Sequence, residues 1–129
     1  MPHPKTILAI DDDIDFLSII KISVELYGQS ELTICDNGQQ GCELAMTHPY
    51  DLIMTDLIMP GLDGSMVIEK LRKSSHNSKS LIFILTSVPD VAQAFQIENV
   101  EVIAKPIEPQ TFVRQIETAW DSYQKRISS

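Results

Sequence analysis

Five short apolar runs, each followed by a polar break and a helix-patterned segment, constrain the fold of this 129-residue chain most strongly. The runs cover residues 6–10, 31–35, 51–55, 81–85 and 101–104. Apolar runs that do not alternate with polar residues are typical of strands buried on both faces of a parallel sheet. The helical segments cover residues 14–27, 39–47, 65–73, 91–97 and 109–127. This alternation predicts an α/β fold, a (βα)5 doubly wound parallel five-stranded sheet with helices on both faces.

Most of the helical segments carry apolar residues near a period of 3.6, which predicts the side chains that pack on the sheet. Asp13 is expected to cap the first helix, which Gly28 ends. Trp120 and Tyr123 have two interpretations, either core packing or a dimer or partner face. The predicted core positions are Phe16, Leu17, Ile20, Val24, Tyr27, Cys42, Ala45, Met46, Met66, Ile68, Leu71, Phe112, Val113, Ile116, Trp120, Tyr123 and Ile127.

The charge balance and the hydrophobic pattern argue against several classes of protein. With 18 Asp and Glu against 10 Lys and Arg, the net charge of −8 argues against direct nucleic-acid binding. The longest apolar run is far shorter than the ~20 residues of a membrane-spanning helix, so no membrane insertion is expected. The first run leads directly into three aspartates, unlike a secretory signal peptide. We therefore expect a single cytoplasmic domain over residues 1–129.

The cysteines and histidines lack the spacing of a zinc site. Cys35 and Cys42 have no partner at short ligand spacing and are expected to be buried, reduced side chains. His3, His48 and His76 stand singly in predicted loops or at helix ends. A hydrolytic triad is therefore unsupported, although such triads assemble through space.

Polar residues follow four of the five predicted strands at the point where each strand ends. Asp11 and Asp12 follow the first strand, Asp56 the third, Thr86 the fourth and Lys105 the fifth. Because the carboxyl ends of parallel strands share one edge of the sheet, these side chains are expected to meet in one cleft. Crowded carboxylates repel one another, and a divalent cation such as Mg²⁺ relieves that repulsion. Together with a lysine and a hydroxyl, they indicate phosphoryl transfer to an aspartate.

Each of these residues, taken alone, has a simpler interpretation. An aspartate after a strand usually caps a helix or forms a turn, and a lone Lys-Pro pair is usually a turn. Independent caps do not explain why four strand ends carry residues suited to one reaction. The joint pattern therefore favours a shared site.

These strand ends resemble the receiver domain of two-component response regulators. The matching features are the pair Asp11-Asp12, the Asp-x-x-Met-Pro-x-x-Asp-Gly pattern that begins at Asp56, the strand that ends in Thr86, and Lys105-Pro106. The pattern at Asp56 is highly specific for that family, and the resemblance covers essentially the whole chain. It implies a flavodoxin-like sheet with strand order 2-1-3-4-5.

The resemblance also implies a role for each matching residue. Asp56 is implied to accept a phosphoryl group from a phosphohistidine, and Lys105 to pair with a phosphoryl oxygen. Thr86 is implied to move toward the phosphoryl group and to signal its presence to the surface of the fourth helix, fifth strand and fifth helix. The Lys105–Pro106 bond is expected to be cis.

The cofactor and partners implied by the family are equally specific. Mg²⁺ is implied to be held by Asp11, Asp12, Asp56 and the backbone carbonyl of Ile58. The implied partners are a sensor histidine kinase or histidine phosphotransfer protein, a downstream protein effector and, as an open alternative, a second copy of the chain. The chain is expected to be a signalling phosphoacceptor rather than an enzyme.

Several features are particular to this chain. The family usually has an aromatic residue three positions before the lysine, where this chain has the aliphatic Val102. Only 19 positions separate Thr86 from Lys105, so the fourth helix is expected to be short or irregular. Ile58 and Val88 lie two positions after the acceptor and switch residues. They are expected to obstruct or misorient the attacking water and so to prolong the life of the acyl phosphate.

Two other functions stay open at this point. A haloacid-dehalogenase-type phosphatase would use Asp11 as nucleophile and Asp13 as acid, but this leaves Asp56 and its Met-Pro loop unexplained. A non-phosphorylated pseudo-receiver would keep the fold as an interaction module, but such modules usually lose the acidic pair, the acceptor or the lysine. The sequence identifies neither the kinase nor the output partner.

The first helix carries more apolar residues than one packed face needs, at Ile14, Ile19, Ile22 and Leu26. One interpretation is wide burial between the sheet and a neighbouring helix. The other, implied by the family, is a docking surface for the four-helix bundle of a phosphodonor.

Overall fold

The computed structural model describes residues 2–92 and 97–128. Among these residues, five parallel strands form one sheet in the order β2-β1-β3-β4-β5, which confirms the predicted fold class and strand order. The strands are β1 (Thr6–Ile10), β2 (Glu31–Cys35), β3 (Leu52–Asp56), β4 (Leu81–Thr86) and β5 (Val100–Ala104). The helices are α1 (Ile14–Tyr27), α2 (Gly38–Thr47), α3 (Gly64–Arg72), α4 (Pro89–Ala92) and α5 (Pro109–Ile127).

The element boundaries lie within one residue of the predicted ones except at the fourth helix. There, α4 begins at Pro89 and has only four described residues. Part of the helix predicted over 91–97, residues 93–96, lies outside the described residues. Each of the other helices is preceded by an N-cap residue. The side chain of that residue accepts a hydrogen bond from a backbone N–H of the first turn, which stabilises the beginning of the helix. These caps are Asp13, Asn37, Asp63 and Glu108.

The sheet separates two apolar layers. α1 and α5 pack on one face, against strand residues such as Ile7, Leu52 and Phe83, and α2 and α3 pack on the other. Successive strand residues point to opposite faces, so a strand covered on both sides is apolar throughout. This explains why the runs of β1, β3 and β4 do not alternate. The edge strands β2 and β5 are partly exposed instead.

Four predicted core positions are exposed in the structure. Tyr27, Met46, Met66 and Ile127 are each 45% to 52% exposed. Tyr27 and Ile127 are the last residues of their helices, and Met46 and Met66 flank the stripe that packs on the sheet. The structure also decides between the two interpretations of Trp120 and Tyr123. These side chains are only 8% and 7% exposed, so both belong to the core.

The additional apolar residues of α1 are not covered by the fold. Ile14, Ile19, Ile22 and Leu26, here called the α1 apolar surface, are exposed by 65%, 40%, 50% and 69%. The prediction of wide burial was therefore wrong for these four side chains.

Two other expectations concern the cysteines and the length of the apolar helices. Cys35 and Cys42 are both buried and unpaired, as predicted, and burial raises the pKa of each thiol. Across the described ranges 2–92 and 97–128, no helix has the length and apolar character needed to cross a membrane.

Candidate functional site

The carboxyl ends of four neighbouring strands bring polar side chains to one edge of the sheet. Asp11 follows β1, Asp56 ends β3, Thr86 ends β4, and Lys105 follows β5. The Nζ atom of Lys105 lies 2.7 Å from Oδ2 of Asp11 and 3.1 Å from Oδ2 of Asp56. One ammonium group thus joins residues that are 94 and 49 positions away in the sequence.

Two glycines shape the loop that follows Asp56. Gly61 has a φ of 76°, a left-handed conformation that strongly favours glycine. A Cβ atom at Gly64 would overlap the backbone oxygen of Asp56, so α3 approaches the end of β3 only because this residue has no side chain.

The loop after β5 contains the expected cis bond between Lys105 and Pro106. The N–H of Lys105 also donates to the carbonyl of Thr86 at 2.8 Å.

Burial and charge pairing act in opposite directions on the ionised groups of the site. The side chain of Asp11 is 1% exposed, and burial raises its pKa although the hydrogen bond from Lys105 opposes this shift. Burial alone would lower the pKa of Lys105, but contacts with Asp11 and Asp56 outweigh it and raise that pKa. Desolvation dominates at Asp11 because it is more deeply buried than the 16% exposed lysine side chain.

A third carboxylate completes an acidic cluster. One carboxylate oxygen each from Asp11, Asp12 and Asp56 lies within 4.8 Å of the other two. Three carboxylates beside one lysine leave two negative charges uncompensated, which a divalent cation would balance. Carboxylate oxygens are the ligands that Mg²⁺ prefers, so these residues fit that ion by charge and by chemistry.

The two remaining predicted site residues, Thr86 and Ile58, form hydrogen bonds within the segments that follow β4 and β3. Thr86 is 1% exposed, and its Oγ1 accepts a hydrogen bond from the N–H of Val88 at 3.1 Å. The N–H of Ile58 donates to Oδ1 of Asp56 at 3.4 Å, while the Ile58 side chain is exposed. Both residues lie at the correct edge of the sheet.

Besides their predicted roles as helix cap and core residue, Asp13 and Phe16 each contact a residue of the site. Asp13 is the N-cap of α1, as predicted, and its N–H donates to Oδ1 of Asp11 at 2.9 Å. The Nζ atom of Lys105 lies 4.2 Å from the centroid of the Phe16 ring, within the range of a cation–π contact. Phe16 was predicted only as a core residue, because the helical period carries no information on this neighbour.

The arrangement suits acceptance of a phosphoryl group. Asp56 offers a partly exposed carboxylate, which is a nucleophile for phosphorus, at the end of a buried strand. Lys105 supplies a positive charge beside it, and the acidic cluster suits a second one. Positioning and charge neutralisation are the main requirements of phosphoryl transfer.

Comparison with known proteins identifies the family of this chain. The family model of the response regulator receiver domain matches residues 7–117. A probable transcriptional regulator, ycf27 of Cyanidium caldarium, is 30% identical over 95% of this chain and 47% of its own length. A probable chemotaxis protein CheY of Rhizobium etli is 26% identical over 88% of the chain and 91% of its own length.

Solved structures show the same fold. The receiver domain of the sensor histidine kinase PA1611 from Pseudomonas aeruginosa, solved with a magnesium ion in its active-site cleft, has a TM-score of 0.80 and 21% identity. The match covers 91% of this chain and 98% of that domain. The chain spans about half the length of the first curated relatives that it matches.

Proposed function

The chain belongs to the response regulator receiver domain family, and on that premise we propose that Asp56 accepts a phosphoryl group from a phosphohistidine donor. The observation that carries this proposal is the position of Lys105, whose ammonium group contacts both Asp11 and Asp56. A lysine in that position neutralises charge on a phosphoryl group that is joined to Asp56. The acidic cluster supplies the complementary place for a cation.

In the proposed step, a carboxylate oxygen of Asp56 attacks the phosphorus atom of the phosphohistidine. The new oxygen–phosphorus bond forms as the phosphorus–nitrogen bond of the donor breaks, and the imidazole leaves. The product is an acyl phosphate on Asp56 and a free histidine on the donor. Lys105 then exchanges part of its contact with Asp56 for a phosphoryl oxygen.

The proposal assigns Mg²⁺ to Asp11, Asp12, Asp56 and the backbone carbonyl of Ile58. When bound, Mg²⁺ supplies positive charge to the phosphoryl oxygens during transfer. The uncompensated negative charge of the cluster supports this assignment, as does the magnesium ion in the related receiver domain of PA1611.

Thr86 is proposed to pass the signal from the site to the protein surface. Its hydroxyl gives up the hydrogen bond from Val88 and turns toward the phosphoryl group, which changes the start of the β4–α4 loop. Val102 is half-buried, and both Val102 and Val88 pack against the apolar layer of α2 and α3. The two valines therefore replace an aromatic side chain in the coupling of the site to a downstream protein effector.

We also propose where the protein is located and how it acts. The chain acts as a single cytoplasmic receiver domain over residues 1–129, and as a signalling phosphoacceptor rather than an enzyme. Its partners are proteins and not nucleic acids, consistent with the net charge of −8. A homodimer through Trp120 and Tyr123 is not included, because both side chains belong to the core.

The direct test is to find which aspartate carries the phosphoryl group. The protein is incubated with acetyl phosphate and Mg²⁺, and the acyl phosphate is reduced with borohydride, which converts the modified aspartate to homoserine. Homoserine at position 56 in the peptide map supports the proposal. Homoserine at position 11 would instead support the phosphatase reading, and no labelling at all would support the pseudo-receiver.

The α1 apolar surface is proposed to bind the histidine-containing bundle of the phosphodonor. Replacing the half-exposed Ile22 by Lys is expected to slow transfer from autophosphorylated histidine kinases about tenfold, a typical cost of charging an interface anchor. Labelling by acetyl phosphate is expected to stay unchanged, since Ile22 lies outside the cleft. The matched control is Met46→Lys on α2, which is equally exposed at 50% and should affect neither reaction.

Ile58 and Val88 are predicted to prolong the life of the acyl phosphate. The double substitution Ile58→Asn and Val88→Asn is expected to shorten its half-life about tenfold, because polar side chains orient the attacking water. The measurement is the decay of phosphoprotein after removal of acetyl phosphate. Ile127→Asn, at a similarly exposed apolar residue at the end of α5, is the control. An unchanged decay rate in the double variant would contradict this prediction.

A further inference from the structure

Lys105 has a partner at the site besides the two carboxylates. An ammonium group has three N–H donors, and two of them are directed to Asp11 and Asp56. The aromatic face of Phe16 lies 4.2 Å from the same nitrogen. Phe16 is 6% exposed, so its ring also keeps water from that side of the ammonium group.

The position of the Phe16 ring is linked to the acidic run by backbone hydrogen bonds. The N–H of Phe16 donates to Oδ1 of Asp13 at 3.2 Å, and the N–H of Asp13 donates to Oδ1 of Asp11. Oδ2 of Asp11 in turn accepts from Lys105. The four residues therefore form a closed circuit of contacts, in which the start of α1 sets the distance between the ring and the lysine.

The carboxylates alone do not explain how Lys105 stays in the cleft when a cation is bound. Mg²⁺ compensates the charge of the same carboxylates that attract the lysine, and it repels the ammonium group. The lysine side chain is also flexible and regains rotamer freedom when it turns toward solvent. The negative face of an aromatic ring is different, because a metal bound to the carboxylates does not neutralise it.

We propose that Phe16 is a positioning residue that holds the Lys105 ammonium group in the cleft through its aromatic face while Mg²⁺ occupies the neighbouring carboxylates. The inference rests on the proposed function, since it concerns the magnesium-loaded site. Phe16, a core residue of α1, thereby keeps the ammonium group of Lys105 where it would meet a phosphoryl oxygen.

The first test follows the lysine directly, without phosphorylation. In NMR spectra, the ε-methylene protons of Lys105 are expected to be shifted upfield by the ring and to remain so when Mg²⁺ is added. Replacing Phe16 by pentafluorophenylalanine reverses the charge distribution of the ring at nearly constant shape. In that variant, Mg²⁺ is expected to return the Lys105 resonances to the ordinary lysine position. A missing upfield shift, its loss from the unmodified protein on adding Mg²⁺, or its retention in the pentafluoro variant would each overturn the inference.

The second test measures the rate of labelling by acetyl phosphate along a series of increasingly fluorinated Phe16 residues. The rate is expected to fall stepwise by about tenfold in total, and Phe16→Tyr, which keeps the aromatic face, should stay near the original rate. Phe112, fully buried in the same layer, is the matched position for fluorination and should show no trend. A flat series at Phe16, or an equal trend at Phe112, would contradict the inference.

The two tests separate this inference from the proposed function. If acetyl phosphate labels no form of the protein, the proposed function fails, and the magnesium titration of the Lys105 resonances still decides the role of Phe16. If the pentafluoro protein does not fold, the monofluoro and trifluoro variants carry the same comparison. Phe16→Leu, which keeps an apolar side chain without an aromatic face, is then expected to be labelled by acetyl phosphate as slowly as the most fluorinated variant that folds.

Discussion

Phosphoryl labelling by acetyl phosphate and Mg²⁺ is expected to disappear when Asp56 is replaced by Asn. The amide has nearly the same shape as the carboxylate, but it lacks the negative charge and the nucleophilic oxygen needed to attack phosphorus. Loss of a nucleophile typically lowers a rate on the order of 10³-fold or more, so no added phosphoryl mass should be detected. Intact-protein mass spectrometry of both proteins measures this result.

The chain offers a matched control for this substitution at the opposite end of the same strand. Asp51 immediately precedes β3, and its Oδ2 accepts a hydrogen bond from the N–H of Lys5. Asp51→Asn is therefore expected to leave labelling unchanged. Labelling that persists in Asp56→Asn but disappears in Asp11→Asn would reject Asp56 as the acceptor and favour Asp11 as the nucleophile.

A second large effect is expected at a buried polar residue outside the site. Asn77 is 1% exposed and lies in the α3–β4 connection. Its Nδ2 donates to the carbonyls of Ala45 at 2.5 Å and His48 at 2.9 Å. Its Oδ1 accepts from the N–H of Tyr50 at 2.8 Å and the hydroxyl of Ser80 at 3.0 Å. One side chain thereby joins the end of α2 to the approaches of β3 and β4.

Asn77→Ala is expected to lower the free energy of unfolding by about 3–5 kcal/mol. Each buried group that loses its partner costs about 1–3 kcal/mol, and the costs do not add fully because some groups rearrange. Urea denaturation, followed by far-UV circular dichroism and by the fluorescence of the single tryptophan, measures the change. A domain of this size is stable by only about 5–15 kcal/mol, so the loss is a large fraction of the total.

Two comparisons distinguish lost hydrogen bonds from lost volume. Asn77→Asp keeps the size of the side chain but places a carboxylate oxygen against two carbonyl oxygens, so it should destabilise at least as much. Asn37→Ala removes the exposed N-cap of α2 and should cost about 1 kcal/mol. If Asn77→Ala costs no more than Asn37→Ala, the four hydrogen bonds do not stabilise the fold as described.

Much of the fold was predictable because its signals are local. β1, β3 and β4 are covered on both faces, so their apolar runs are continuous, and their direction follows from the helix between each pair. The predicted cap Asp13 occurs at the start of α1 and accepts the N–H of Phe16 three residues later. Such short-range signals identify where an element begins without reference to the rest of the chain.

The extent of burial was less predictable. Periodicity identifies an apolar stripe but not which part of it a neighbouring element covers. Met46 and Met66 were therefore placed in the core although they are exposed, and the α1 apolar surface was left with two interpretations. Trp120 and Tyr123 were ambiguous for the same reason until the packing of α5 on the sheet assigned them to the core.

The amino-acid sequence by itself determined that Asp11, Asp56, Thr86 and Lys105 share one edge of the sheet, because parallel strands align their carboxyl ends. Only the tertiary structure decided how these residues touch. The contact of Lys105 with Asp11 joins residues 94 positions apart, and its distance depends on the path of two loops. The Phe16 ring beside Lys105 and the buried bonds of Asn77 are of the same kind. Contacts between distant segments depend on the packing of whole layers, which no local period or spacing encodes.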